Sequence, residues 1–196
     1  MPKPKNIIPS QQLNVALPLP LYTQLGAHLY GDKKPLLSWR VHLLPHLENG
    51  NLYEQFHLDE PWDSEHNKKL IDQMPQVYRY FMSHVGDEGK TVYLAVIGPG
   101  TAFERGKIVN LDVPDGMSNT IMLVQVSDER AVIWTKPDDW EFDPERPMDG
   151  LMGQRDDGFL VLAMDTKAHL VKPDFDRETF KRLVIRNDGQ PAEFDD

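Results

Sequence analysis

Three histidines lie within one short window of the sequence, at positions 42, 46 and 57. His42 and His46 have the spacing of a zinc-binding pair on a helix. However, Pro45 lies between them, and the alternation of apolar residues over 38–44 (SWRVHLL) predicts a strand. Residues four apart on a strand stand about 13 Å from each other, too far to share one metal ion. We therefore expect half-buried histidines at a strand end and no metal centre here.

Four tryptophans could build a ligand site, because exposed aromatic rings flanked by polar groups are typical of sugar and peptide sites. Trp39 and Trp134 stand on predicted strands, where we expect core positions. Trp62 opens a predicted helix. Trp140 lies in a long polar segment, residues 136–157, and we expect it to be the most exposed of the four. The candidate ligand-binding residues are therefore Trp62 and, within the 136–157 segment, Asp138, Asp139 and Trp140.

Clustered oxygen ligands suggest where calcium could bind. Asp112, Asp115 and Asn119 are close in sequence, as such a site requires, but they lack the spaced ligands and the glycine of an EF-hand. Solvated turn side chains are the alternative interpretation. Calcium is the only cofactor that the sequence suggests, and a second oxygen-rich group lies within the 136–157 segment: Asp138, Asp139, Asp143, Glu145 and Asp149.

Catalysis is harder to support. A carboxylate pair for glycoside hydrolysis requires only a spatial separation, and no spacing in this sequence favours one. Ser118 and Ser127 lack the flanking glycines of a nucleophile elbow. We therefore assign no catalytic residue and expect a protein that is not an enzyme.

Composition narrows the class of protein. The chain has 196 residues, with 21 Lys and Arg against 31 Asp and Glu, so its formal net charge is −10. Such a charge repels nucleic acid and anionic membranes. There is no cysteine, which excludes disulfides, thiolate nucleophiles and cysteine-bound zinc. Because no apolar run has the length of a membrane span or a signal sequence, we expect the chain as given to be soluble.

The predicted elements form one α+β domain over residues 36–188. An extended or partly disordered lead-in, residues 1–35, precedes it, and an acidic tail that we expect to fray, residues 189–196, follows. About seven strands should form a single, mainly antiparallel sheet, backed by two or three helices. The predicted strands are 38–44, 77–82, the central strand 91–97, a hairpin of 118–126 with 129–135, and a second hairpin of 158–164 with 167–172. The predicted helices are 50–56, 61–75 and 174–185.

An ordered set of sequence blocks carries a family resemblance. The blocks are PLLSWRVHLLPHLENGNLYEQFHLDEPWDSEHNKKLIDQMPQVYR, TVYLAVIGPGTAF, VPDGMSNTIMLVQV, VIWTKPDDWEFDP and FLVLAMDTKAHLV. Together they resemble the planctomycete domain-of-unknown-function family DUF1559, which is also catalogued as a solute-binding family. The family has type II secretion G-like, pseudopilin-like members. The resemblance implies a pseudopilin-like fold, export or association with the cell envelope, and no established catalytic residue.

The chain departs from this family pattern at several positions. From the sequence as given we expect no N-terminal anchoring helix of the usual kind, either because it was removed or because this member is soluble. Gln125 stands where a glutamate is usual. The last hairpin turns on Asp165-Thr166 instead of Asp-Gly, which removes a glycine suited to positive φ. Arg155 replaces a frequent histidine, and we add Arg155 to the ligand-binding candidates.

Three functions remain open at this stage. The first is a non-catalytic, exported or envelope-associated, pseudopilin-like domain that assembles, through self-association, or binds a protein partner. The second is a soluble protein that binds a solute or a carbohydrate through the 136–157 segment and Trp62. The third is a hydrolase that uses paired carboxylates.

Overall fold

Seven strands build two sheets in the computed structural model, which describes residues 35–104, 113–190 and 192–194. The five-stranded sheet has the order β5-β2-β3-β6-β7, and β1 pairs with β4 in a separate two-stranded sheet. All but the last residue of the predicted lead-in lie outside the described residues, as does Asp112. The strands are β1 (Lys90–Thr91), β2 (Tyr93–Ile97), β3 (Ile121–Gln125), β4 (Val132–Ile133), β5 (Trp140–Glu141), β6 (Phe159–Ala163) and β7 (Ala168–Val171).

The α+β class is confirmed, but the single seven-stranded sheet was wrong. In the larger sheet β2, β3, β6 and β7 are antiparallel neighbours, whereas β5 pairs with β2 in parallel. The predicted hairpin of β3 with β4 was also wrong, because β4 pairs with β1. A 3-10 turn, Asp128–Arg130, separates β3 from β4. The edges of β3 are already occupied by β2 and β6, so β4 finds its partner elsewhere.

The central strands are buried on both faces, as the continuous apolar run of 91–97 predicted. Every residue of β2, β3 and β6 is buried. On one face, Ala95 and Leu162 join a core that contains the N-terminal helical segments. On the other face, Leu94 and Val161 join a core that contains the C-terminal helix and part of the 136–157 segment. The sheet therefore lies between two apolar layers.

The N-terminal layer consists of short helical pieces. Its α-helices are α1 (Trp39–His42) and α2 (Gly50–Tyr53), joined by a 3-10 turn, Leu44–Leu47. The predicted strand 38–44 was therefore wrong. Ser38 caps α1, since its Oγ accepts from the backbone N of Arg40 at 3.2 Å. A serine cap stabilises one helical turn, and the apolar alternation alone did not reveal it.

The predicted helix 61–75 is shorter than expected, and the predicted strand 77–82 is not formed. A 3-10 helix spans Asn67–Gln73, with Ser64 Oγ accepting from Asn67 N at 3.0 Å, and another spans Gln76–Tyr78. Leu70 and Met74 are buried, while Ile71 is half-buried. The remaining 3-10 helices are Val85–Glu88 and Met117–Asn119.

The C-terminal elements agree with the prediction. Strands β6 and β7 form the expected hairpin, and α3 (Arg177–Val184) begins after the cap residue Asp176. Gly158 opens this hairpin with φ +131°, and a Cβ there would lie 2.0 Å from the carbonyl oxygen of Val171. Only glycine therefore allows the two strands to approach. In the acidic tail, the ring of Phe194 stacks on His169 of β7.

None of the described helices has both the length and the apolar character needed to cross a membrane.

Candidate functional site

A pocket of about 380 Å³ lies beside β5, at the edge of the larger sheet. The 136–157 segment contributes most of its wall, and β2, β4 and the Asp128–Arg130 turn contribute the rest. The lining includes three of the five predicted ligand-binding residues, Asp138, Asp139 and Trp140. The full lining is Leu94, Glu129, Arg130, Val132, Asp138, Asp139, Trp140, Glu141, Asp143, Arg146 and Asp149.

Asp139 is the most firmly held carboxylate of this pocket. It directly precedes β5, whose parallel register pairs Trp140 with Val96 and so brings Asp139 beside Ala95. Its Oδ1 accepts three hydrogen bonds, from Trp39 Nε1 at 3.0 Å, Arg40 Nη2 at 3.0 Å and the Ala95 backbone N at 2.8 Å. Only 4% of its side chain is exposed. Burial raises the pKa of Asp139, against the opposing effects of the Arg40 charge and these three hydrogen bonds.

Arg40 is fully buried and holds several backbone and side-chain groups together. Its Nε and Nη2 donate to the carbonyl oxygen of Tyr93 at 3.1 Å and 2.7 Å, and its Nη1 donates to Ser38 Oγ at 2.7 Å. Its guanidinium carbon also lies 4.5 Å from the ring centre of Trp39. The strand predicted over 38–44 would have placed Arg40 on the face opposite Trp39, whereas Arg40 is buried in a helical turn. Sequence reasoning missed this residue because a buried arginine has no local signal.

The rim of the pocket is a set of ion pairs. Lys136 Nζ lies 2.8 Å from Asp138 Oδ2, and Arg146 Nε lies 3.0 Å from Asp143 Oδ2. Arg130 Nη2 lies 2.5 Å from Asp149 Oδ2. These groups are partly exposed, so each pair contributes little to stability, about 0–1 kcal/mol. Their main effect is to neutralise the carboxylates of the rim. Asp139 differs from these carboxylates because its side chain is buried.

Trp140 is buried, with 7% exposure, so the expectation that it is the most exposed tryptophan was wrong. Its Nε1 donates to the carbonyl oxygen of Asp149 at 3.0 Å, and its ring packs against Phe142 at 6.0 Å between centroids. The reason is the pairing of β5 with β2, which turns part of a polar segment into sheet. Trp39 and Trp134 are buried as predicted.

The other two ligand-binding candidates do not line this pocket. Trp62 is half-buried, packs against the N-terminal core, and its backbone N donates to Leu36 O at 2.9 Å. Arg155 makes two hydrogen bonds of 2.7 Å to Asp157, one to each carboxylate oxygen. Because this pair is bidentate and lies outside the lining, Arg155 is not brought together with Asp139.

The candidate calcium residues have other partners in the described part of the chain. Asp115 Oδ2 accepts from the Asp188 backbone N at 2.9 Å, and Asn119 Nδ2 donates to the Asp115 carbonyl at 3.1 Å. Gly116 follows Asp115 in a turn with φ +95°. Asp112, the third candidate, lies outside the described residues. Within residues 35–104, 113–190 and 192–194, no three His, Asp or Glu side chains are grouped to hold a metal ion.

The strand predicted around the histidines was wrong, because His42 belongs to a helical turn, although its side chain is half-buried as expected. His57 pairs instead with His66, the two rings stacking with centroids 3.5 Å apart. His57 Nδ1 lies 2.8 Å from Glu60 Oε1, and His66 Nε2 lies 2.7 Å from the Gln55 carbonyl. Hydrogen bonds from Ser64 and His57 lower the pKa of Glu60. This group holds a loop together away from the pocket lining.

Comparison with known proteins finds a family match for the N-terminal part of the chain. Residues 18–83, about a third of the sequence, match a family model described as "Protein of unknown function (DUF1559)". No curated protein and no solved structure matches the sequence. The matched segment supplies Trp39 and Arg40, two of the three donors to Asp139. The resemblance to DUF1559, a family of unknown function, is therefore confirmed over residues 18–83.

Proposed function

We propose that this chain is a non-catalytic domain that binds a small polar solute in the pocket beside β5. One observation carries the proposal: Asp138, Asp139 and Trp140 line one cavity, in which a buried carboxylate is held by three N–H donors. Concave sites that combine apolar walls with a few held polar groups are typical of ligand pockets. The second name of the family that the chain resembles, a solute-binding family, agrees with this proposal.

A binding role accounts for the carboxylates better than a hydrolytic one. Glycoside hydrolysis needs one carboxyl group as acid and a second as base or nucleophile. Here Asp138, Asp143 and Asp149 are engaged by basic side chains on the rim. Asp139 is engaged by the protein's own donors on one oxygen. We therefore propose that these groups position a ligand and do not transfer protons.

A titration tests this proposal. Individual amino acids, amines and monosaccharides are added to the intact protein while tryptophan fluorescence is recorded. We expect a saturable change with at least one of these compounds, because Trp140 lines the pocket and Trp39 contacts its buried acid. Heat measured in a parallel calorimetric titration gives the same dissociation constant.

Two matched variants locate the binding. Trp140→Phe should remove most of the fluorescence change, whereas Trp62→Phe, outside the pocket lining, should leave it intact. A change that follows Trp62, or no response to any compound of the three classes, would contradict a solute site at this pocket.

Assembly is a second candidate function, and Phe81 and Met82 favour it. Each is 58% exposed, and the two are adjacent in the chain. Adjacent exposed apolar side chains are typical of contact surfaces. We propose that this surface binds a second copy of the chain, in agreement with the pseudopilin-like, exported or envelope-associated role that the resemblance implies.

A further inference from the structure

We propose that the pocket beside β5 selects an organic cation, an amine or a guanidinium group attached to a short hydrocarbon chain, and that Asp139 binds its charged head. This inference rests on the proposed function, since it names the ligand class of the same pocket.

The first step concerns the two oxygens of Asp139. All three hydrogen bonds from the protein go to Oδ1, from Trp39, Arg40 and Ala95. Among the described residues no donor reaches Oδ2, and only 4% of the Asp139 side chain is exposed. A carboxylate accepts hydrogen bonds through both of its oxygens, so Oδ2 keeps its capacity to accept one. Because Asp139 lines the pocket, a ligand N–H can donate to this oxygen.

The second step concerns charge. The lining has six acidic residues and two basic ones, so its formal charge is 2 − 6 = −4. Arg40 and Lys136, which pair with Asp139 and Asp138, reduce this to −2. Glu129 and Glu141 make no ion pair with another described residue, so their charge stays available. A concave surface with net negative charge attracts cations and disfavours anions.

The third step separates an organic cation from a metal ion. In the described ranges no set of three acidic or histidine side chains is arranged for a metal. Asp143 and Asp149 already pair with Arg146 and Arg130. The pocket wall also contains the apolar side chains Trp140, Leu94 and Val132. Apolar side chains can contact a hydrocarbon chain, whereas they offer no ligand to a hydrated metal ion. A single held carboxylate beside apolar side chains matches an alkyl amine or alkyl guanidine.

Four probes with short hydrocarbon chains test this selectivity by isothermal titration calorimetry: butylamine, butylguanidine, butanol and butyrate. We expect the two cations to bind saturably and at least tenfold more tightly than butanol, with no measurable binding of butyrate. Calcium chloride is titrated in parallel and should not compete with butylguanidine. Added salt should weaken binding of the cations.

Variants connect the selectivity to the proposed residues. Asp139→Asn should weaken butylguanidine binding at least tenfold, with circular dichroism as the check of folding. Since a change at a buried ion pair can prevent folding, Glu129→Gln combined with Glu141→Gln provides a second test on exposed side chains. This pair should weaken binding by about three- to tenfold. Glu178→Gln on α3, which is not part of the lining, is the matched control and should have no effect.

The outcomes separate this inference from the proposed function. Equal binding of butanol and the cations, or competition by calcium, overturns the organic-cation selectivity and leaves a solute pocket in place. Cation binding that is unchanged in both the Asp139 and the glutamate variants overturns the assignment of these residues. If none of the probes binds and the wider titration is also negative, the proposed function fails as well.

Discussion

Thr166 adopts a strained backbone conformation in a hairpin turn, and this strain lowers the stability of the folded protein. It lies at the tip of the β6–β7 hairpin with φ +71°, in the left-handed region that β-branched residues rarely adopt. Asp165 supports the turn, because its Oδ1 accepts from the Lys167 backbone N at 3.0 Å. The hairpin therefore forms despite the missing glycine, and the strain remains in the folded state.

Thr166→Gly should raise the free energy of unfolding by roughly 0.5–1 kcal/mol. The left-handed conformation costs an L-residue about 1–2 kcal/mol, and the extra freedom of glycine in the unfolded chain offsets part of the gain. Equilibrium unfolding in urea measures the change. Thr166→Ala, which keeps a Cβ, is the control and should gain less than the glycine variant. A glycine variant that unfolds at lower urea than the parent would contradict the strain argument.

At the scale of elements, the 3-10 helix Asn67–Gln73 and the loop before it form one unit. Asn67 is fully buried and begins this helix. Its Oδ1 accepts from His57 N at 3.0 Å, and its Nδ2 donates to the carbonyls of His57, Glu60 and Pro61 at 2.9, 3.2 and 3.2 Å. One side chain thus satisfies backbone groups along the whole loop, and short local helices need such tertiary support.

Asn67→Ala should lower the free energy of unfolding by about 1–3 kcal/mol, because buried backbone groups lose their partners. Hydrogen exchange should show faster exchange at the His57 amide, which donates to Asn67 Oδ1. Asn67→Asp should destabilise the fold as well while keeping the His57 amide protected, since an acceptor remains. Asn51→Ala, an exposed position, is the control. Unchanged stability of Asn67→Ala would show that the loop does not depend on this side chain.

At the scale of the whole molecule, Arg40 and Asp139 connect parts that are distant in sequence. The pair lies 99 residues apart and joins the helical N-terminal layer, the edge of β2 and the 136–157 segment. A buried ion pair contributes little net stability over an apolar alternative, but the loss of one partner is costly. The ion pair instead fixes the position of Asp139, which contacts β2 through Ala95 and also lines the pocket.

Self-association through Phe81 and Met82 is the prediction that belongs to this scale. Sedimentation velocity over a range of protein concentrations should show a dimer that dissociates on dilution, because adjacent exposed apolar side chains gain from mutual burial. Phe81→Ser with Met82→Ser should abolish the dimer. Leu58→Ser, at another exposed apolar position, should not affect it. A parent protein that sediments as a monomer at every concentration would argue against assembly.

The sequence also anticipated part of the candidate site. Asp138, Asp139 and Trp140 are neighbours in the chain, so a polar segment that keeps a tryptophan pointed to them together. Leu94 and Glu129 could not be found in this way, because only the packing of the segment against β2 and the Asp128–Arg130 turn brings them to the pocket. Arg40 was missed because the buried position of a charged side chain depends on partners far along the chain.

The sequence by itself determined the elements whose signals are local: the central strand β2, the β6–β7 hairpin and the helix α3. These depend on contacts within a few residues, which a local pattern records. Only the tertiary structure decided that β4 pairs with β1 and that β5 runs parallel to β2. Strand pairing, and with it the burial of Trp140 and Arg40, depends on which edges remain free once the chain has folded, and no single stretch of sequence contains that information.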